Sequence, residues 1–181
     1  LKGKAYENLA FKVVYDFADG DEIALKDAYL DLQGVPGVSG VRIGQFLEPL
    51  CFNELTSSKY ISFLERASVN TFAPGRNAGV MIHDDVAEGA VSYQIGLFLD
   101  TDDMAEKRGN DEYSLAGRLA YLAVGEATSD RLVHLGAAFN YFVPGGDLRF
   151  RQRPEVHLSE RLVDTGSIMN AENVLRYGGE I

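Results

Sequence analysis

Apolar and polar side chains alternate with a period of two along much of the chain. Between residues 113 and 121 the odd positions are apolar or aromatic apart from Gly117, whereas the even positions carry serine, alanine and arginine. The same alternation recurs over residues 133–141 and 91–99. Because successive side chains of a strand point to opposite faces, these segments are predicted to be β-strands. About eight strands are expected in all, since weaker alternation occurs over residues 9–17, 23–32, 40–47, 79–84 and 148–153.

The connections between the predicted strands alternate between short and long. Residues 34–39, 85–88 and 125–130 form short connections, whereas residues 49–78 and 100–112 form long ones. Tight turns at one rim and long loops at the other are typical of outer-membrane β-barrels. The alternation therefore favours a barrel wall.

One segment has helical rather than strand periodicity. Apolar side chains recur at helical spacing over residues 57–67, and Ser57 is a suitable N-terminal cap. We therefore predict a short helix inside the long loop 49–78.

The second face of the strands separates two all-β architectures. A soluble β-sandwich usually presents charged or threonine side chains to water, but here that face carries small residues with an occasional arginine. Small side chains suit a crowded lumen. Tyr113 and Tyr121 stand at the two ends of one apolar row, roughly 20 Å apart across a membrane, as paired aromatic girdles would. Arg118 must then face the lumen, because arginine in mid-membrane lipid costs about 2 to 4 kcal/mol.

Composition excludes several classes of function. A formal charge of -10 disfavours nucleic acid and anionic membrane surfaces as partners. The single cysteine, Cys51, forms no internal disulfide, and three separated histidines (His83, His134 and His157) suggest no metal site. No nucleophile elbow or phosphate-cradling glycine loop is present, so neither an enzyme nor a cofactor is expected. The chain starts at Leu1 without methionine, and we expect it to be a piece of a longer protein.

Several ordered segments carry a family resemblance. They are GVRIGQFLEP, FNELTSSKYISFLER and FAPGRNAGVMIHD, with KVVYDFADGDEIALKDAYLDLQG before them and HLGAAFNYF, RFRQRPE and VDTG after them. Together they make the chain similar to the phosphate-selective porin O and P family. That resemblance implies a sixteen-stranded antiparallel transmembrane β-barrel, a homotrimer, and contact with lipid of the bacterial outer membrane. Residues 1–181 would be a partial barrel with about half of the strands, and residues 49–78 would be the loop that constricts the pore.

An anion channel of this kind needs basic side chains along its lumen. Such side chains attract anions, and weak binding at successive positions lets the anions leave again. Strand parity and the loop assignment give six candidates for the anion path: Lys12, Arg42 and Arg118 on the wall, and Lys59, Arg66 and Arg76 in the loop. Lys59 follows three hydroxyl residues at the predicted helix start, where free backbone donors favour an anion.

A second basic group lies later in the chain. Arg149, Arg151 and Arg153 alternate along the predicted strand 148–153. They are expected to line the outer vestibule.

The sequence departs from the family pattern in its charges. Where the resemblance implies a loop lysine shortly before Thr-Ser-Ser, this chain has Glu54, and an acidic wall partner is replaced near Lys26. We therefore expect a charge pair swapped between loop and wall. The substrate stays open between phosphate, polyphosphate and other small anions.

Three functions remain in view at this point. The first is passive diffusion of small anions through a basic lumen. The second is a soluble β-sandwich binding module, and the third is a structural outer-membrane barrel without selective transport.

Overall fold

The computed structural model describes residues 1–17, 23–63, 65–101, 108–125, 131–153 and 159–181, with the backbone alone for residues 108–111. Nine strands in these ranges form one antiparallel sheet in which each strand pairs with the next along the chain, and the last strand pairs with β8. The strands of this sheet are β1 (Lys2–Ala5), β2 (Leu9–Asp16), β3 (Ala24–Gln33), β4 (Gly40–Leu47), β5 (Arg76–Val86), β6 (Val91–Thr101), β7 (Arg108–Val124), β8 (Val133–Val143) and β11 (Val174–Glu180). A separate two-stranded ribbon pairs β9 (Arg151–Gln152) with β10 (Val163–Asp164).

Helix is scarce in the described ranges. It comprises α1 (Phe52–Leu55) and two 3-10 turns, Ser68–Phe72 and Ala87–Gly89. None of the helices in these ranges is long and apolar enough to cross a bilayer. The helix predicted over residues 57–67 is wrong for the residues described there, because α1 ends earlier at an extended Thr56. Two aromatic side chains of that segment, Tyr60 and Phe63, are about four-fifths exposed and so contribute little packing to a helix there.

The clear strand predictions are confirmed, and the one over residues 148–153 is confirmed only for the two residues of β9. Residues 91–99, 113–121 and 133–141 lie within β6, β7 and β8, and the prediction 40–47 coincides with β4. Residues 148–153 join no strand of the large sheet. The side chain of Arg149 instead binds Asp164 across the ribbon. The edge strands β1 and β11 were not predicted, because one is four residues long and the other carries a Gly-Gly pair that weakens its alternation.

The two faces of the sheet have opposite character and opposite exposure. The register aligns one apolar row across seven strands, β3 to β8 and β11: Leu30, Ile43, Val80, Leu97, Leu115, Tyr141 and Leu175. Leu97 and Leu175 of this row are more than 60% exposed. The neighbouring row on the other face consists of Asp31, Arg42, Met81, Gly96, Ala116, Asn140 and Arg176. We call the face that carries this second row the inner face. It buries Asn140 completely and leaves Arg118 only 9% exposed.

This arrangement is the reverse of a soluble sheet, in which the apolar face is buried. A β-sandwich would need a second sheet against the apolar rows, and beyond the large sheet the described ranges contain only the short β9 and β10. The described ranges therefore do not form a β-sandwich. The described sheet is also not a closed barrel, since β1 and β11 are its two edges.

A small apolar cluster also lies on the inner face. Phe46, Met81, Phe98 and Ala116 are buried there, with Tyr29 packed against them. The rings of Phe46 and Phe98 meet edge to face at 5.3 Å, a favourable geometry for aromatic pairs. The guanidinium of Arg42 lies 5.5 Å from the ring of Phe46, which stands just before the long loop in the sequence.

Candidate functional site

The connection between β4 and β5 lies against the inner face. It runs over residues 48–75, since β5 begins at Arg76. The ring of Phe52 in α1 stands 5.3 Å from that of His134 in β8, and the guanidinium of Arg118 in β7 lies 5.5 Å from the same phenyl ring. The first part of the loop therefore reaches across the sheet to strands that follow much later in the chain.

A polar cavity of about 360 Å³ opens between this loop and strands β2 to β5. We call it the loop–wall cavity. Its lining contains four cationic side chains, two carboxylates and three consecutive hydroxyl residues, together with four apolar residues. The charged and hydroxyl residues are Lys12, Arg42, Arg66, Arg76, Asp27, Glu54, Thr56, Ser57 and Ser58. Four of the six residues predicted for the anion path thus meet in one place.

Asp27 of β3 holds two of these cations on the wall. One carboxylate oxygen accepts a hydrogen bond from Lys12 Nζ at 2.6 Å, and the other accepts one from Arg76 Nε at 2.8 Å. Arg76 is therefore a wall residue, and its assignment to the constricting loop is wrong. It opens β5 opposite Leu47, where the strand pairing fixes its backbone.

Asp31 plays a similar part for Arg42. Its carboxylate oxygen Oδ2 accepts two hydrogen bonds from Arg42, at 2.6 and 2.9 Å, and Oδ1 lies 2.9 Å from His83 Nε2. The Arg42 guanidinium also stacks over the ring of Tyr29 at 4.4 Å. These contacts fix the direction of Arg42, since Asp31 and the ring hold it from different sides.

Arg66 is the cation that the loop supplies. It donates to the backbone carbonyl of Asn53 and lies 3.4 Å from Glu54. Glu54 also accepts a hydrogen bond from Asn70 at 2.6 Å. The predicted exchange of charge between loop and wall is wrong, because Glu54 pairs within the loop and Lys26 pairs with Asp16 at 3.6 Å.

The other two predicted residues lie outside the cavity lining. Lys59 is exposed, and the helix start predicted beside it is not formed, because residues 57–63 are not helical. Arg118 lies on the inner face, as its parity predicts, but its side chain is only 7% exposed and pairs with Glu180 of β11. His134 Nδ1 lies 3.9 Å from the same carboxylate.

Glu48 is a residue that sequence reasoning missed. It follows β4, is 2% exposed, and accepts hydrogen bonds from Asn77, Ser114 and Asn140, each at 2.7 Å. Its one signal in the sequence is a lone carboxylate between Leu47 and Pro49. Strand parity stops at Leu47 and gives no direction for the next side chain.

The histidines and Cys51 form no metal centre in the described part of the chain. No group of three or more metal-ligating side chains occurs there. His83 Nε2 forms a hydrogen bond with Asp31, and Cys51 is a partly buried free thiol. His157, the turn 125–130 beyond Gly125 and residues 102–107 of the long connection lie outside the described residues.

Beside the β9–β10 ribbon, Arg149 forms an ion pair with Asp164. Arg149 Nε donates to Asp164 Oδ1 at 2.7 Å, and the backbone amide of Gly166 donates to the same oxygen at 2.9 Å. The hydrogen bond from Arg149 lowers the pKa of Asp164 to about 2. The pair is therefore charged across the physiological range.

A family model agrees with the resemblance seen in the segments. The model described as phosphate-selective porin O and P matches residues 1–181, the whole chain. No curated protein matches the chain. Membership of a porin family points to a channel rather than an enzyme and implies the bacterial outer membrane. The chain belongs to the phosphate-selective porin O and P family.

Proposed function

We propose that this chain forms part of a passive channel through which small anions of the phosphate class diffuse past the loop–wall cavity. One observation carries the proposal: four cationic side chains face two carboxylates and three hydroxyl residues in a single polar cavity on the inner face. The acidic chain as a whole does not oppose it, because the local field along the path selects the ion.

The chemistry of the cavity suits an oxyanion. A guanidinium offers a planar fork of donors that matches phosphate geometry, and a lysine ammonium offers a compact charge. The cavity provides three guanidinium groups and one ammonium. The hydroxyls of Thr56, Ser57 and Ser58 add neutral donors beside them.

The carboxylates have two effects on this path. Asp27, which lines the cavity, and Asp31, which lies outside the lining and binds Arg42, hold Lys12, Arg76 and Arg42 in place through short hydrogen bonds. They also cancel part of the positive field, so an anion is attracted without being trapped. A channel needs this balance, because binding must be weak enough for the ion to leave.

The finer assembly is proposed on the resemblance. The open edges β1 and β11 suit a chain that carries about half of a larger barrel, and sixteen strands in a homotrimer are what the resemblance implies. The exposed apolar rows would then contact outer-membrane lipid of a Gram-negative bacterium. Polyphosphate remains a second candidate anion for the same cavity.

Planar-bilayer recording of the full-length protein tests the proposal. Under a potassium chloride gradient the reversal potential should show chloride preferred over potassium, and added phosphate should reduce the chloride current by competing for the same cavity. A preference for potassium would contradict the anion path. Absence of any conductance would favour the structural barrel without transport.

A further inference from the structure

The loop is joined to the wall at its first residue. Glu48 directly follows β4, and its carboxylate is almost fully buried on the inner face. Oε1 accepts a hydrogen bond from Asn77 Nδ2, while Oε2 accepts from Ser114 Oγ and from Asn140 Nδ2. The three donors come from three strands, β5, β7 and β8. The side chain of Glu48 thus connects the loop to three strands of the sheet.

Both amide donors are themselves fixed by a second partner. Asn77 Oδ1 accepts a hydrogen bond from the backbone amide of Thr101 at 3.1 Å. Asn140 Oδ1 accepts one from Arg176 Nη1 of β11 at 2.7 Å. Each amide can present its NH₂ group to Glu48 only in this orientation, so contacts outside the loop fix both donors toward the carboxylate.

Energetics favour a structural purpose for this carboxylate. Taking a charged group out of water is costly unless hydrogen bonds replace the lost hydration. Three side-chain donors provide that replacement at one point on the wall. Moving Glu48, the first residue of the loop, away from the wall would leave the carboxylate and its three donors buried without hydrogen-bond partners, which also costs free energy. The arrangement therefore has one strongly preferred position for the loop.

That position is transmitted directly to the loop–wall cavity. Pro49 follows Glu48 and restricts the backbone there. The chain then enters α1, where Phe52 contacts Arg118 and His134. Glu54, at the end of the same short helix, lines the cavity with Arg66. A shift of Glu48 would therefore move Arg66 of the loop relative to the cations of the wall.

We propose that Glu48 is a positioning residue, which pins the loop to β5, β7 and β8 and so sets the geometry of the loop–wall cavity. It acts by its hydrogen bonds and not through its charge on the permeating ion. The inference rests on the proposed function, because the geometry that Glu48 sets matters only where an anion passes the cavity.

Two substitutions separate position from charge. Glu48→Ala and Glu48→Gln remove the same negative charge, but glutamine keeps an oxygen that accepts from Ser114 and Asn140. In the full-length protein, Glu48→Ala should lower the chloride-to-potassium permeability ratio several-fold, whereas Glu48→Gln, which loses only the hydrogen bond from Asn77, should lower it by clearly less. Glu7→Ala, in the exposed β1–β2 turn, serves as the matched control and should change nothing. Equal shifts in the alanine and glutamine variants would overturn the inference.

Cys51 supplies a second readout, independent of ion selectivity. Its partly buried thiol lies three residues from Glu48. The rate of maleimide labelling should rise several-fold in Glu48→Ala and by clearly less in Glu48→Gln, with Cys51→Ser defining the background. An unchanged rate in Glu48→Ala would contradict the pinning role.

The test stays decisive in two unfavourable cases. If Glu48→Ala fails to fold, Ser114→Ala removes one donor and leaves the carboxylate, and a smaller rise in labelling is expected; no rise would overturn the inference. If the wild-type channel prefers potassium, the proposed function fails. The labelling comparison still decides whether Glu48 holds the loop in place.

Discussion

Neutralising Asp27 should strengthen the anion preference of the channel. Asp27 accepts hydrogen bonds from Lys12 and Arg76, and it is one of two carboxylates in the lining of the loop–wall cavity. Asp27→Asn keeps the size of the side chain and an oxygen acceptor. It removes a negative charge from a site where four cations remain.

The size of the effect follows from Coulomb's law. A unit charge about 6 Å from an anion repels it by about 0.7 kcal/mol at the dielectric constant of water, and by about 2.8 kcal/mol at an effective value near 20. The cavity is open to water, so the lower end applies. Removing the repulsion should therefore raise the anion permeability about 3-fold to 10-fold, since 1.4 kcal/mol corresponds to a factor of ten.

Reversal potentials in planar bilayers measure the chloride-to-potassium permeability ratio directly. The matched control is Glu88→Gln, which makes the same charge change in the turn between β5 and β6. The Asp27 variant should shift the reversal potential toward that of chloride, and the control should not. The effect should also shrink at high salt, because added ions screen the field. A shift toward potassium, or a shift no larger than the control's, would refute the assignment of the cavity to the anion path.

Three other perturbations have expected outcomes. Arg118→Gln should lower the free energy of unfolding by about 1.5 to 3 kcal/mol, because Glu180 loses its charged partner. In a double-mutant cycle measured by urea unfolding in detergent, adding Glu180→Gln should recover part of the lost stability. Additive effects of the two substitutions would contradict an Arg118–Glu180 interaction. Gly79→Ala should destabilise by about 1 to 3 kcal/mol, because a Cβ would stand 2.4 Å from a backbone oxygen; Gly146→Ala, with open space around it, is the control and should melt as wild type does. The carboxyl signal of Asp164 should titrate near pH 2 in ¹³C NMR, assigned with Asp164→Asn. Its lowered pKa means that the pairing contributes fully above the ordinary value of 3.8 and is lost as pH falls through about 2; a midpoint near 3.8 would contradict it.

The faces of the sheet were predictable because strand parity determines them. The alternation over β6, β7 and β8 placed Arg118 on the inner face and the apolar rows on the other. Parity in β2 and β4 likewise placed Lys12 and Arg42 on the inner face, where they line the cavity. Side-chain direction along a strand depends on local backbone geometry alone, so it can be read without knowing the partner strands.

The pairing of the charges was not predictable in the same way. Asp27 joins Arg76 across 49 residues, and Glu48 joins Asn140 across 92. Such contacts depend on the register between strands and on how the loop folds back onto the sheet. The local alternation of apolar and polar residues determines neither. The helix predicted over residues 57–67 is wrong for a related reason. Helical spacing of apolar residues stabilises a helix only where the apolar side chains pack against something, and Tyr60 and Phe63 are mostly exposed.

The central claim is that the exposed apolar rows contact hydrocarbon while the inner face contacts water. Nitroxide labels at Ile95, on the apolar side, and at the adjacent Gln94, on the inner face, test it in the full-length protein reconstituted in vesicles with Cys51→Ser. Collision with oxygen should dominate at Ile95, and collision with a water-soluble nickel chelate should dominate at Gln94. The opposite pattern, or nickel access to both labels, would contradict the account.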